Sequence, residues 1–255
     1  MDARRPDIRA IAFDVNGTLI EIVTEDDMEQ IFRAAGHFLT YQGISLRRHQ
    51  VQDLYFQYMK QQRKASPEPH PEFDAAAIWH RIIAEHSTDF TRALPLEKLA
   101  QMPLFLAEMS RGISRRRLRL YPHVRTVLGR LRERFPLALV SDAQSTWARG
   151  ELHQVGLLKY FDPIVVSGDH GYRKPDGRLF TQALDALAVA PPHVLYVGNN
   201  IYRDIYGANQ AGMQTVLFDS DRFDSNRGRH QHLGCVPDHT IDDHRQLFDI
   251  LGLNG

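Results

Sequence analysis

The stretch Ala12-Phe13-Asp14-Val15-Asn16-Gly17-Thr18-Leu19-Ile20 decides how the chain is read. It closes an apolar run, Ile8 to Val15, in which Arg9 is the one interruption before Asp14. Such a run suits a strand buried on both faces of a parallel sheet. Asp14, Asn16, Gly17 and Thr18 then stop the strand and open a tight turn. Chemistry in open α/β sheets sits just beyond the carboxyl ends of the strands. Asp14 therefore stands where a reactive carboxylate would be placed. The same residues are also the ordinary vocabulary of a strand-ending turn, so the segments that follow must decide between the two readings.

From about Thr24 to Ser114 the pattern is helical. Thr24-Glu25-Asp26-Asp27 reads as an N-cap with acidic first-turn residues. A helix over Ser45–Lys64 follows from the three- and four-residue steps of Val51, Leu54, Tyr55 and Met59. Ser66-Pro67-Glu68-Pro69-His70-Pro71 is a loop, because its prolines preclude regular helix. Helices resume over Asp74–His86 and Leu96–Met109.

Beyond Tyr121 helices and strands alternate. Strands are expected at Leu137–Ser141, Pro163–Ser167, Val194–Gly198 and Gln214–Phe218. Helices are expected near Pro122–Phe135, Ser145–Val155, Asp176–Leu187, Tyr202–Ala211 and Asp242–Leu251. Such alternation implies right-handed crossovers and a doubly wound, Rossmann-like parallel sheet, that is, an α/β fold. The organisation expected is an α/β core of residues 1–21 and 115–255, with an all-helical cap of residues 22–114 inserted after the first strand. A cap there would lie over the strand ends, where it could close on a substrate. Arg222–Gly234 reads as an irregular loop.

Composition narrows the function classes. The 255 residues carry 31 Lys+Arg against 31 Asp+Glu, a net charge of zero. A dedicated nucleic-acid or polyanion binder would carry a basic excess. The single cysteine, Cys235, precludes an intramolecular disulfide and fits a reducing compartment. No signal-peptide core opens the chain, and no apolar run approaches the roughly 20 residues that span a bilayer. A soluble, cytoplasmic protein with no nucleic-acid or membrane partner is expected.

Further strand ends carry marked residues: Ser141 with Asp142, then Lys174-Pro175-Asp176, then Gly198-Asn199-Asn200 with Asp204 following. Together with Phe13–Leu19, these four segments resemble, in order and spacing, the motifs of the haloacid dehalogenase-like hydrolase superfamily. The resemblance covers residues 8–20 and about 118–220. It implies that Asp14 is a nucleophile forming a covalent intermediate that water later hydrolyses. Gly17, Thr18, Ser141 and Asp142 would bind the substrate, with Ser141 and the turn amides donating to its anion. Lys174 would hold Asp14 and offset charge. Mg²⁺ would be bound by Asp14, the backbone carbonyl of Asn16, Asn199 and Asp204, in a weakened site.

Two residues depart from the family's phosphatases. Asn16 stands where they place a second Asp, the general acid–base. An amide has no proton to exchange near neutral pH. Asn199 stands where they place a metal-binding Asp, and an amide oxygen ligates without charge. The leading expectation is a Mg²⁺-dependent phosphatase acting on a small phosphorylated metabolite with a good leaving group. The resemblance also admits a metal-independent 2-haloacid dehalogenase, with Arg47 or Arg48 as a substrate arginine, and a binding protein on a non-catalytic scaffold.

The remaining candidates have plainer readings. The basic run Arg115-Arg116-Arg117-Leu118-Arg119 reads as a solvated hinge. His230, His232, His239 and His244 read as surface histidines and not a zinc site. Cys235 reads as a plain thiol, and Trp79 and Trp147 as packing residues.

Overall fold

In the computed structural model, which describes residues 7–219 and 234–253, the opening apolar run forms β1 (Ala10–Phe13) at the centre of a sheet. The chain leaves it through β2 (Ile20–Thr24) and enters helices α1 (Glu29–Tyr41), α2 (Arg48–Ala65), α3 (Ala75–His86), α4 (Asp89–Arg92) and α5 (Leu96–Ser114). It returns through β3 (Arg115–Leu120). Then follow α6 (Val124–Arg132), β4 (Leu137–Ser141), α7 (Ser145–Gln154), β5 (Ile164–Val166), α8 (Gly177–Leu187) and β6 (Val194–Gly198). Last come α9 (Gly207–Gln210), β7 (Gln214–Phe218), β8 (His239–Ile241) and α10 (Leu247–Ile250).

The main sheet has the order β5-β4-β1-β6-β7-β8, and every pairing in it is parallel. After β1 the chain builds outward on one side through β4 and β5, then crosses to build β6, β7 and β8 on the other. This reversal opens a crevice at the carboxyl end of β1. Alternation along the strands divides the core. Ile11, Phe13, Leu137, Leu139, Leu195 and Val197 pack on one face. Ala10, Ala12, Ala138, Val140, Val194 and Tyr196 pack on the other. Both faces are apolar because helices cover both.

Helices α1, α2, α3 and α5 contribute to a separate apolar cluster around Phe32, Leu39, Trp79, Ile82 and Leu106. The loop after α2 stitches this block to the sheet. Glu72 N–H donates to the Gly171 carbonyl at 2.9 Å, and Arg173 N–H to the His70 carbonyl at 2.9 Å. Arg111 on α5 makes two bonds to Glu151 on α7, at 2.8 and 3.0 Å.

Several local expectations are corrected. Thr24 ends β2 and does not cap a helix; α1 begins at Glu29 after Met28. The basic run keeps Arg116, Arg117 and Arg119 exposed, but it is a strand. It is β3, antiparallel to β2, with Glu21 opposite Arg119 and Val23 opposite Arg117. Arg117 and Arg119 both bond the buried carboxylate of Glu21, and Arg119, with Arg117, holds that carboxyl below its usual range against burial. The expected last helix, Asp242–Leu251, is a 3₁₀ turn, His244–Gln246, running into the short α10.

His239 lies half-buried in β8. His230 and His232 fall outside the described residues. His244 is 1 % exposed, not a surface residue. Its Nε2 lies 2.9 Å from the Thr18 carbonyl, and its ring packs 4.3 Å from that of Phe218. Burial pulls its pKa from 6.5 down to about 4. The unfolded chain therefore takes up a proton on His244 between about pH 6.5 and 4 that the folded chain refuses. Stability is fully present above that window and falls as pH drops through it, by on the order of 3 kcal/mol in all. Urea unfolding at pH 7 and at pH 4.5 measures this. In a His244→Gln variant that part of the slope is expected to vanish.

Candidate active site

Four strand ends meet at the crevice. Asp14 leaves β1, its N–H still donating to the Val197 carbonyl of the neighbouring strand at 2.9 Å. Ser141 is the last residue of β4 and is buried. Lys174 follows β5, and Gly198 ends β6 with Asn199 next in the chain. The side chains of Asp14, Asp204 and Tyr196 converge on Lys174, which is 2 % exposed. Its ammonium lies 2.6 Å from Asp14 Oδ1 and 2.6 Å from Asp204 Oδ1. It also lies 3.0 Å from the Val140 carbonyl and 3.2 Å from the Tyr196 hydroxyl.

The turn after β1 fixes the other oxygen of Asp14. Thr18 Oγ1 lies 2.9 Å from Asp14 Oδ2 and 3.2 Å from Asn199 Oδ1, so its one proton is shared between them. Gly17 makes the turn possible, with φ at +87°; a Cβ there would also stand 2.5 Å from Asn199 Nδ2. Gly198 is required for a different reason. A Cβ on it would stand 2.4 Å from Asp204 Cβ. Only glycine lets Asp204 fold back against the end of β6.

Asp204 is brought back by a widened turn. The expected helix Tyr202–Ala211 begins as a π-helical turn, Ile201–Tyr206, before the short α9. Asn200 caps it: its Oδ1 accepts from the N–H groups of Tyr202 and Arg203 at 3.1 and 2.8 Å. Its own N–H donates to Asp204 Oδ2 at 2.9 Å. Single π turns inside helices recur at functional sites because they re-aim a side chain.

The electrostatics follow from burial. Removal from water pushes the Asp14 carboxyl up to about 6, against the pull of Lys174. Burial alone would lower Lys174, but the carboxylates of Asp14 and Asp204 outweigh it and hold the ammonium well above the usual lysine range. A second cation, Arg203, is raised likewise: burial opposes, and Asp204, Asp142 and Asp14 prevail.

Asp142, expected beside the substrate, is engaged by neighbouring groups. It accepts the Lys174 N–H at 2.9 Å and pairs with Arg173 at 3.4 Å and Arg203 at 3.6 Å. Asn16 sits half-buried on the turn, which Gly17 N–H closes on the Ile20 carbonyl at 2.8 Å. Arg47 and Arg48 are exposed at the start of α2. Arg48 pairs with Glu29 there, and Arg47 N–H donates to Gln50 at 2.9 Å. Sequence reasoning assigned no role to Arg203 or Tyr196. Arg203 was visible only as the neighbour of Asp204, and nothing in the chain order shows that Asp142 lies across from it.

A buried carboxylate held by an ammonium at the end of a central strand is equipped for nucleophilic attack. A family model for haloacid dehalogenase-like hydrolases matches residues 8–212. The chain belongs to the haloacid dehalogenase-like hydrolases. Among the relatives of this hydrolase is a glyceraldehyde 3-phosphate phosphatase of Methanopyrus kandleri, 28 % identical over 96 % of this chain and 97 % of the relative. A phosphoserine phosphatase of Thermus thermophilus is 34 % identical over 70 % of this chain and 69 % of its own. In fold the hydrolase is similar to a 2-haloacid dehalogenase from Pseudomonas syringae, with TM-score 0.65, 20 % identity, and coverage of 97 % and 100 % of the two chains. It is also similar to a HAD phosphatase from Thermococcus onnurineus, with TM-score 0.57, 22 % identity, and coverage of 96 % and 98 %.

Proposed function

We propose that this hydrolase cleaves small phosphate monoesters, with Asp14 as the nucleophile and helices of residues 22–114 as a cap over the strand ends. The observation that carries this is the Lys174 ammonium held 2.6 Å from both Asp14 and Asp204. It keeps Asp14 ionised in a buried place and offsets the charge of an approaching phosphate. A carboxylate oxygen of Asp14 forms a bond to phosphorus, and the ester oxygen leaves with the electron pair. Water then attacks phosphorus, phosphate departs and the carboxylate is restored. Ser141 and the Asn16 amide donate to phosphoryl oxygens; the Gly17 and Thr18 amides are taken up within the turn by the Ile20 and Val15 carbonyls, at 2.8 and 3.3 Å. Asn16 supplies no proton to the leaving oxygen, which confines the enzyme to esters that leave readily.

The acidic donors suit Mg²⁺ at reduced charge. Asp14 Oδ2 and Asn199 Oδ1 converge on one hydroxyl, and a carboxylate oxygen keeps a second lone pair for a cation. Mg²⁺ takes one or two carboxylates and fills its other positions with waters and substrate phosphate. Among the described residues no three His, Cys, Asp or Glu side chains gather into a metal cluster. The ligands proposed are Asp14, Asn199 and the Asn16 carbonyl, with Asp204 behind them. Mg²⁺ bound there would shield the Asp14 carboxylate from the incoming phosphate. Among the described residues no helix is long and apolar enough to cross a membrane, and a small anionic ester is the partner proposed.

Two assays test the reading: p-nitrophenyl phosphate with Mg²⁺, and 2-chloropropionate in EDTA. Phosphate release abolished by EDTA is expected, and Asn199→Asp is expected to lower the Mg²⁺ concentration for half-maximal rate by about tenfold, one charge being restored to the site. Halide release that survives EDTA would replace this reading with a dehalogenase. Neither activity would leave a binding protein.

A further inference from the structure

We propose that Arg203 receives a carboxylate carried by the phosphate ester, which makes it a specificity-determining residue of the crevice. This rests on the phosphatase reading above and names its substrate class, esters with a carboxylate a few carbons from the phosphate.

Arg203 belongs to the group of side chains around Lys174. It precedes Asp204 on the π-helical turn, and its Nη1 lies 3.6 Å from Asp142 Oδ2. Asp142 follows Ser141 in the chain, and its Oδ1 accepts the Lys174 N–H at 2.9 Å. Burial pushes the Asp14 carboxyl up, and Arg203 joins Lys174 in drawing it back. The Arg203 side chain is 37 % exposed, so part of it is open to a ligand.

The protein leaves this cation underused. A guanidinium carries five N–H donors, and 3.6 Å is too long for a hydrogen bond. Among the described residues Asp142 is its one ion-pair partner. That carboxylate is shared, because Arg173 Nε lies 3.4 Å from the same Oδ2. Asp204, next in the chain, is taken by Lys174, Tyr196 and the Asn200 N–H. Lys174 has three donors and already meets oxygens of Asp14, Val140, Tyr196 and Asp204. Arg203 is therefore the crevice cation with donors left for a substrate.

The chemistry of the site selects the anion. A guanidinium edge matches a carboxylate in two parallel hydrogen bonds. With Asp142 beside it, a monoanion is better balanced than a second phosphate. Ser141 and Asp142 are consecutive, their Cα atoms about 3.8 Å apart. A phosphate at Ser141 and a carboxylate beyond Asp142 are thus joined by a short carbon chain.

The test uses the whole chain with Mg²⁺ and two esters of similar shape and leaving group, 3-carboxyphenyl phosphate and 3-carbamoylphenyl phosphate. Calorimetric titration with 3-phosphonopropionate and with its amide reads binding without turnover. KM for the carboxylate ester is expected to lie at least about tenfold below that for the amide, the usual worth of hydrogen bonds to a charged group. The phosphonate pair is expected to differ in affinity by a similar factor. In Arg203→Met the ratio within each pair is expected to fall to about one, and Arg203→Lys, which keeps the charge without the fork, is expected to retain part of it. Equal KM values and equal phosphonate affinities in the parent enzyme, with both esters hydrolysed, would overturn the carboxylate assignment alone. A preference that persists in Arg203→Met, both ligands of each pair weakening alike, would make Arg203 a clip between the turn and β4 and overturn it too. Hydrolysis of neither ester would overturn the phosphatase reading and this proposal with it.

Discussion

Asn16→Asp is expected to raise phosphate-ester turnover by about 10²–10⁴-fold, the usual worth of a positioned general acid–base. The gain is expected to be largest on glycerol 3-phosphate, whose alkoxide leaves only when protonated, and smallest on phenyl phosphate. The change is isosteric and the side chain is half-buried, so little packing is disturbed. It adds one negative charge near Asp14, which also favours Mg²⁺. Steady-state rates across leaving groups of graded basicity measure it. No rise on any ester, in a folded protein that binds Mg²⁺, would contradict the role given to this position.

Lys174→Met is expected to cost about 3–5 kcal/mol of stability, the loss seen when one partner of a buried ionic cluster is removed. The methionine stem fills much of the space, so the loss is electrostatic. Asp14 and Asp204 would face each other across a water-poor gap with no cation between them. Asp14, already pushed up by burial against the pull of Lys174, would then bind a proton at neutral pH, which removes the nucleophile as well. Urea denaturation together with turnover measures both effects. The stability loss is expected to shrink toward acid pH, because protonating a carboxylate relieves the repulsion. A variant as stable as the parent at pH 7 would contradict the arrangement described around Nζ.

The parts of the site legible in the chain were those fixed by position along a strand. Asp14, Ser141 and Gly198 stand at strand ends, and a buried strand is recognisable by its apolar run. Lys174 and Asp204 were legible only through the family resemblance of the segments that follow those ends. The residues passed over, Arg203 and Tyr196, owe their place to tertiary proximity. Arg203 faces Asp142, a carboxylate from another strand end. Tyr196 is an inward residue of β6 that happens to reach Lys174. His244 was misjudged for the same reason: its burial is set by Phe218 and the Thr18 carbonyl, which lie far from it in sequence.

The antiparallel ribbon was hidden by distance. Glu21 and Arg119 are 98 residues apart, and the charge of β3 masks it as a strand. The alternation of Arg117, Leu118, Arg119 and Leu120 was the available signal, and the density of charge obscured it. β8 has three residues, fewer than any periodicity can register. Helices in the block were legible where apolar steps recur, as in α3, where Asp74 caps the first turn by accepting from Ala77 N–H at 2.9 Å. They were misplaced where a β-strand end, Thr24, resembled a cap.

Trapping the covalent adduct tests the role of Asp14 most directly. Enzyme mixed with phenyl phosphate and quenched into borohydride is expected to carry homoserine at position 14, the reduction product of an acyl phosphate, in peptide mass spectrometry. Asp204 and Asp142 are expected to remain aspartates in the same digest. Unmodified Asp14 under conditions where phosphate is being released, or reduction at another carboxylate, would contradict nucleophilic attack from β1.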